Sequence, residues 1–243
     1  FEWLWAKSST DFDEMSNLSK SLREKLKEQF IINNAKVNQS QFSNDKTIKS
    51  TFKLFDSNII EGVLIPATDR MTACVSSQVG CSLTCKFCAT GYMERKRNLN
   101  ADEIYDQVVL IDKQAKENYN VPLTNIVYMG MGEPLLNYAN VMKSIERITA
   151  PDGLNMAAKR ITVSTAGIAK MIKKLGDDAV RFNLALSLHA ANDEKRNTIM
   201  PINEQNSLKA LAEALKYYFS KTKNPVTYEY IVFNDFNDNI SDA

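Results

Sequence analysis

From about residue 72 onward the chain alternates short apolar runs with stretches whose apolar residues recur at helical spacing. The runs are ACVSS, NIVYMGMG, RITVSTAG, RFNLALSLH and VTYEYIVF, and they read as five strands buried on both faces. The stretches between them carry Ile104, Val108, Ile111 and Ala115, then Val141, Ile145 and Ile148, then Ile168, Met171, Ile172 and Leu175, then Leu208, Leu211, Leu215 and Phe219. Each set lies on one face of a helix. Asn100 with Glu103 gives the first helix a capping-box start, and Ser207 opens the last. This alternation predicts an α/β fold with a parallel sheet and right-handed crossovers, either doubly wound or a complete or partial (β/α) barrel. Chemistry in such sheets gathers at the C-terminal ends of strands. Gly130 to Glu133, Ser164 with Thr165, and Ser187 to His189 all close strands, so they are expected to meet on one rim.

The chain before residue 72 has a different texture. Residues 1–46 are polar and read as helical, with Trp3, Trp5 and Phe12 as packing anchors. Leu18, Leu22 and Leu26 recur every fourth position there, which leaves Lys20, Arg23, Lys25 and Lys27 as the wet face of an amphipathic helix. TIKSTFKLFDSNIIEGVLI alternates apolar and polar positions around Asp56, Ser57 and Asn58, the pattern of a β-hairpin closed by Pro66. Three parts are therefore expected: a helical accessory domain over 1–46, a hairpin linker over 47–70 and an α/β core over 71–243. The first residue is Phe1, inside what already reads as a helix, so the N-terminus is expected to be a cut.

Composition narrows the function classes. With 44% hydrophobic and 24% charged residues the chain can bury an ordinary globular core, which argues against disorder. No apolar run approaches the roughly 18 residues of a membrane span, and FEWLW lacks the basic flank and length of a signal peptide, so a cytoplasmic location without membrane association is expected. A net charge of +1 gives no general field for nucleic acid. Any RNA contact must use local patches, of which Arg95, Lys96 and Arg97, just after the cysteines, is the one hardest to dismiss as a solvated face.

All four cysteines fall between residues 74 and 88: Cys74, then Cys81, Cys85 and Cys88 in GCSLTCKFCATG. Clustered cysteines of this kind point to metal or catalysis before disulfides. Zinc is one reading, but a closed zinc site wants four ligands in paired knuckles, and no second pair exists, although His189 could complete the set. Three thiolates from one loop suit three corners of an iron–sulfur cubane with the fourth iron open to a ligand. The bland reading is three buried thiols and no metal.

CxxxCxxC with an aromatic, Phe87, before its last cysteine resembles the signature of the radical S-adenosylmethionine (SAM) superfamily. There the amino and carboxylate groups of SAM chelate the open iron of a [4Fe-4S] cluster, and one electron cleaves SAM to methionine and a 5′-deoxyadenosyl radical. CVSSQVGCSLTCKFCATG, MGMGEPLLN, ITVSTAGI, LALSLHAANDEKRNTIMPIN and YEYIVFNDFND together resemble the RlmN/Cfr family, whose members methylate C2 or C8 of adenosine in RNA. The likeness runs along the whole chain. It implies a partial (β/α) barrel of the radical SAM type, with the C2 branch, acting on 23S rRNA and tRNA, as the favoured reading. C8 methylation of 23S rRNA and a non-catalytic Fe-S RNA-binding fragment are the alternatives.

The resemblance also implies roles. Cys81, Cys85 and Cys88 would hold the cluster; Gly132 and Glu133 would meet the amino end of SAM; Ser164, Ser187, Leu188 and His189 would line its pocket. Glu61 matches an acid assigned as proton acceptor, and Cys74 matches a cysteine that helps break down a covalent protein–RNA adduct. Without the family, Glu61 is one polar residue in a hairpin and His189 a lone histidine at a strand end. In the family one SAM methylates a C-terminal cysteine and a second SAM activates that methyl group for attack on the electron-poor carbon. This chain has no cysteine after Cys88, so it is expected to lack its C-terminal end and to fail in methyl transfer. A flavodoxin-like electron donor and a monomeric state complete the expectation.

Overall fold

The computed structural model describes residues 2–242; Phe1, where the helical reading began, lies outside the described residues. An eight-stranded sheet organises the chain. Its strands are β1 (Lys36–Phe42), β2 (Ile48–Lys53), β3 (Ile59–Ala67) and β4 (Arg70–Cys74), then β7 (Asn125–Tyr128), β8 (Ile161–Thr165), β9 (Asn183–Ser187) and β10 (Val226–Glu229), and they lie side by side in that order. β1 to β4 pair antiparallel, whereas β4, β7, β8, β9 and β10 are all parallel. The parallel half is the expected open barrel. Two further short strands, β5 (Gln78–Val79) and β6 (Arg97–Asn98), pair with each other and bracket the cysteine loop.

Two sequence expectations need correction. Residues 1–46 are not helical throughout: after α1 (Glu2–Trp5) and α2 (Lys20–Gln29) comes β1, whose KVNQSQF is exposed at nearly every position. An edge strand of this kind is held by its backbone ladder and by side-chain bonds such as Ser40 to Ser50, 2.9 Å between hydroxyl oxygens, rather than by an apolar face. Nor does the hairpin lie outside the sheet or end at Pro66. β3 continues through Pro66, whose register partner is Met71, and pairs with β4 as far as Val63 opposite Cys74. Near the end of a strand a missing N–H disrupts little of the ladder.

Helices cover the sheet as their periodicity predicts. α3 (Ala101–Tyr119) starts with the Asn100/Glu103 capping box and buries Ile104, Val108 and Ile111, which join the core with Phe52, Ile60 and Leu64 from the antiparallel strands. α4 (Tyr138–Thr149), α5 (Ala169–Asp177) and α7 (Leu208–Thr222, capped by Ser207) contribute Ile145, Ile172 and Leu211 to the same core. α6 (Asp193–Ile199) is short and polar. Alternation along β3 buries Ile60, Gly62 and Leu64 while Glu61 and Val63 take the opposite face. Directly paired residues share a face, so Cys74 lies on that same side as Val63 and Glu61.

Trp5 packs edge-on against Tyr105, 4.9 Å between ring centres, as an anchor of the N-terminal segment; Trp3 donates its indole N–H to Asn17, 2.5 Å, and lies outside the buried core. Beside Trp5 and Phe12, α3 and the 30–35 segment enclose a cavity of about 680 Å3. Asp106 reaches into it, accepts the Ala35 N–H at 2.8 Å, and is raised to about 7 by burial.

Candidate active site

The C-terminal ends of β7, β8 and β9 and the loop between β5 and β6 enclose a cavity of about 400 Å3. Cys81, Cys85 and Cys88 line it together with Gly132, Glu133, Ser164, Ser187 and His189. Leu188 does not: its side chain turns into the core, and its backbone bonds Glu229 and Arg196 instead. Ser187 is the last residue of β9, and the chain beyond it turns through the left-handed His189.

The cysteine loop is tightly wound. Cys88 donates its backbone N–H to the Cys85 carbonyl at 3.2 Å, and Gly91 donates to the Cys88 carbonyl at 2.8 Å. A Cβ at Gly91 would lie 2.5 Å from the Cys85 carbonyl oxygen, so only glycine lets the chain wrap this closely. All four cysteines are free thiols. Burial and the neighbouring Cys81 push the Cys85 thiol up to about 12, and Cys81 is raised by burial as well. Thiolates accumulate here only with a compensating positive charge, as a metal centre provides. Among the described residues no three His, Cys, Asp or Glu side chains are gathered for a single metal ion. Three thiols around an open cavity suit a wider, polynuclear cluster with one exposed corner.

Glu133 is the buried anion of the site. It is 3% exposed, and its carboxylate accepts the N–H of Leu135 at 3.0 Å and of Ala166 at 2.7 Å, which ties the end of β7 to the end of β8. Burial raises its pKa. These amides and the Thr165 hydroxyl are all neutral donors, so the carboxylate charge remains for a cationic ligand such as the ammonium group of an amino acid. Gly132 before it has φ +93°, and a Cβ there would lie 2.4 Å from Gln78 Cβ. Gln78 in turn accepts the Glu133 N–H at 2.9 Å and donates to Asn98 at 2.7 Å, so β5 and β6 support the acid directly.

His189 adopts a left-handed backbone, φ +57°, and its Nδ1 accepts the Ile231 N–H at 3.2 Å. Burial lowers it to about 4, so near neutral pH the ring is uncharged with its proton on Nε2. The ring packs edge-on against Phe87, 4.7 Å between centres, which couples the aromatic of the cysteine motif to the end of β9. Ser164 and Ser187 face each other with their hydroxyl oxygens 3.4 Å apart.

A model of the radical SAM superfamily matches residues 75–242, and a ribosomal RNA large subunit methyltransferase N-terminal domain matches residues 1–32. The chain is 64% identical over its whole length to a probable dual-specificity RNA methyltransferase RlmN of Cytophaga hutchinsonii, of which it covers 67%, and 57% identical to its namesake from Christiangramia forsetii, of which it covers 69%. The chain belongs to the RlmN family of radical SAM proteins. A crystal structure of a radical SAM methyltransferase from Sphaerobacter thermophilus superposes on all of it with a TM-score of 0.93 at 39% identity, the chain covering 71% of that protein. With membership of the superfamily come a [4Fe-4S] cluster and SAM as cofactors. The thiols and the buried acid described above fit both. No helix among the described residues is long and apolar enough to cross a membrane.

Two of the residues that the RlmN resemblance pointed to lie apart from the cavity. Glu61 is half-exposed and paired with Lys49 at 2.8 Å, and Cys74 is buried, its thiol raised to about 11 by burial. They share one face of β3 and β4 as diagonal neighbours. The basic run after the cysteine loop divides. Arg97 is consumed internally, donating to both Glu103 oxygens at 2.7 Å and to Asp56 at 2.7 Å, while Arg95 and Lys96 stay exposed. Sequence reasoning missed Gln78 and Arg196, because a glutamine in a strand and an arginine in DEKR carry no mark of burial.

Proposed function

We propose that this chain carries the cluster- and SAM-binding part of an enzyme that methylates C2 of adenosine in 23S rRNA and tRNA. The observation that supports it most is the meeting of three thiols of one loop with a buried carboxylate, otherwise held by neutral donors, on a single cavity. Cys81, Cys85 and Cys88 would hold the cluster on the cavity that Glu133 also lines. Glu133 would receive the ammonium end of SAM, Gly132 would let its backbone come close, and Ser164, Ser187 and neutral His189 would border the remainder. When bound, cluster and SAM supply the one-electron chemistry that an electron-poor ring carbon requires.

Cys74 and Glu61 serve the RNA side. Both face the same side of neighbouring strands, Glu61 half-exposed and Cys74 buried, so a splayed-out base would meet Glu61 first. Glu61, once parted from Lys49, is the proton acceptor, and Cys74 resolves the adduct. The residue that carries the methyl group in the family has no counterpart among the four cysteines of this sequence. Removing a covalent carrier eliminates a step instead of slowing it.

The test incubates the 243-residue chain, and a version extended to the length of its relatives, with reductant, labelled SAM and unmodified RNA. SAM-dependent 5′-deoxyadenosine from both, with label at C2 of adenosine from the longer protein alone, is the expected result. Label at C8 would move the chain to the other branch of the family. Label from the short chain would defeat the carrier argument.

A further inference from the structure

Arg196 is the bulkiest fully buried side chain of the described residues, 0% exposed, yet it sits on the polar helix α6. Its Nε donates to the Leu188 carbonyl at 2.9 Å, one Nη to the Ser187 carbonyl at 2.9 Å and the Ala166 carbonyl at 2.6 Å, and the other Nη to Asn203 Oδ1 at 2.6 Å. The fork thus gathers the ends of β8 and β9 at one point. One turn on, the Ile199 carbonyl accepts the Lys86 N–H at 3.0 Å, and Met200, bonded to the Arg196 carbonyl at 2.8 Å, joins Leu83 and Ala166 in the small apolar cluster against which Cys81 and Cys85 pack. The cysteine loop and both rims are therefore fastened to one helix.

All four acceptors are neutral oxygens, whereas a buried guanidinium is normally matched by an anion. Asp193 spends its carboxylate on Asn203 and the Leu208 N–H. The Cys85 sulfur, which would carry negative charge as a cluster ligand, packs against the same small apolar cluster as Ala166, whose carbonyl accepts from Arg196. A thiolate-bound iron–sulfide cluster is such an anion, and its negative charge grows by one on reduction, so a fixed cation beside it favours the reduced form.

We propose that Arg196 is the positioning residue of this site, holding the cysteine loop and the two strand ends in register, and that its buried charge raises the reduction potential of the cluster. The inference rests on the assignment of the cluster to Cys81, Cys85 and Cys88. The experiment reconstitutes the wild-type chain, Arg196→Lys, Arg196→Gln and Asn203→Asp anaerobically. Iron and sulfide content, the midpoint potential by redox titration and SAM affinity are then measured on each. Arg196→Lys keeps the charge and loses the fork: its potential stays near the wild-type value while SAM binding weakens several-fold. Arg196→Gln removes the charge and lowers the potential. Asn203→Asp leaves the guanidinium and its carbonyl bonds in place but sets a carboxylate against it, at the cost of the Asn203 amide bonds to Asp193 and Asn197, so it lowers the potential even where Arg196→Gln does not fold. Unchanged potentials in charge-altered variants with full iron content overturn the role of Arg196 alone. A wild-type chain that takes up no cluster overturns the cysteine assignment, and this inference with it.

Discussion

The parallel and antiparallel halves of the sheet differ in how they treat a carboxylate. In the parallel half Glu133 lies in the loop after β7, is buried, and is held by neutral donors, the amides of Leu135 and Ala166 and the Thr165 hydroxyl. In the antiparallel half Glu61 sits mid-strand on β3, half-exposed and neutralised by Lys49. A strand end in a parallel sheet opens onto a cavity built by the loops that follow, so a buried acid there is offered to a ligand. A residue in the middle of an antiparallel ladder has its neighbours fixed on both sides, and its acid finds a partner within the sheet.

The most severe way to sharpen the contrast is at the thiols. Replacing Cys81, Cys85 or Cys88 by alanine should abolish bound iron and sulfide and the brown colour of the reconstituted protein, whereas Cys74→Ala should leave both intact. Stoichiometric zinc without sulfide in the wild type would break the comparison at its root. Next come the two acids. Glu133→Gln should weaken SAM binding by roughly 10- to 100-fold, the worth of a charge-assisted bond, and Glu61→Gln by less than about 2-fold, since a half-exposed pair contributes little. Calorimetry on the loaded protein measures both, and equal losses would show that the pocket is misplaced.

Gly132→Ala tests the strand end without touching a charge. Its positive φ and the contact with Gln78 should lower stability by about 1–3 kcal/mol in denaturant titration, with SAM affinity falling as well. The smallest effect is expected beyond the site, on the helix that covers the antiparallel half. Asp106 has a folded pKa of about 7 against an ordinary 3.8, so the stability it allows is fully present at low pH and is lost as the pH rises from about 4 through 7. Asp106→Asn keeps an acceptor for Ala35 and should flatten that loss, raising stability at pH 8 by about 1–2 kcal/mol once the partial exposure of the group is discounted. Thermal melts at pH 5 and pH 8 decide it; identical pH profiles for both proteins would contradict the raised pKa.

Much of this was legible because the signals were local. The capping box at Asn100 and Glu103, the period of α3 and the apolar runs of β7 to β9 each follow from a few neighbouring residues. The rim was legible too, since polar groups closing apolar strands have one place to go. What escaped was long-range. β1 has no apolar alternation and exists because β2 offers an edge. The pairing of β3 with β4 depends on a turn that continues a ladder past a proline. Arg196 looks like a solvated helix residue until the carbonyls of Ala166, Ser187 and Leu188 are brought around it.

Arg97 has a consequence for maturation. It stands at the base of the cysteine loop, clamped between Asp56 in the hairpin turn and Glu103 in the first turn of α3, and the charge of Arg97 holds the Asp56 carboxyl down at about 2. None of these three groups touches the place where iron would sit. The mouth of the receptacle is thus braced by the polypeptide itself, so the ordering entropy of the loop's base is met during folding rather than during metallation.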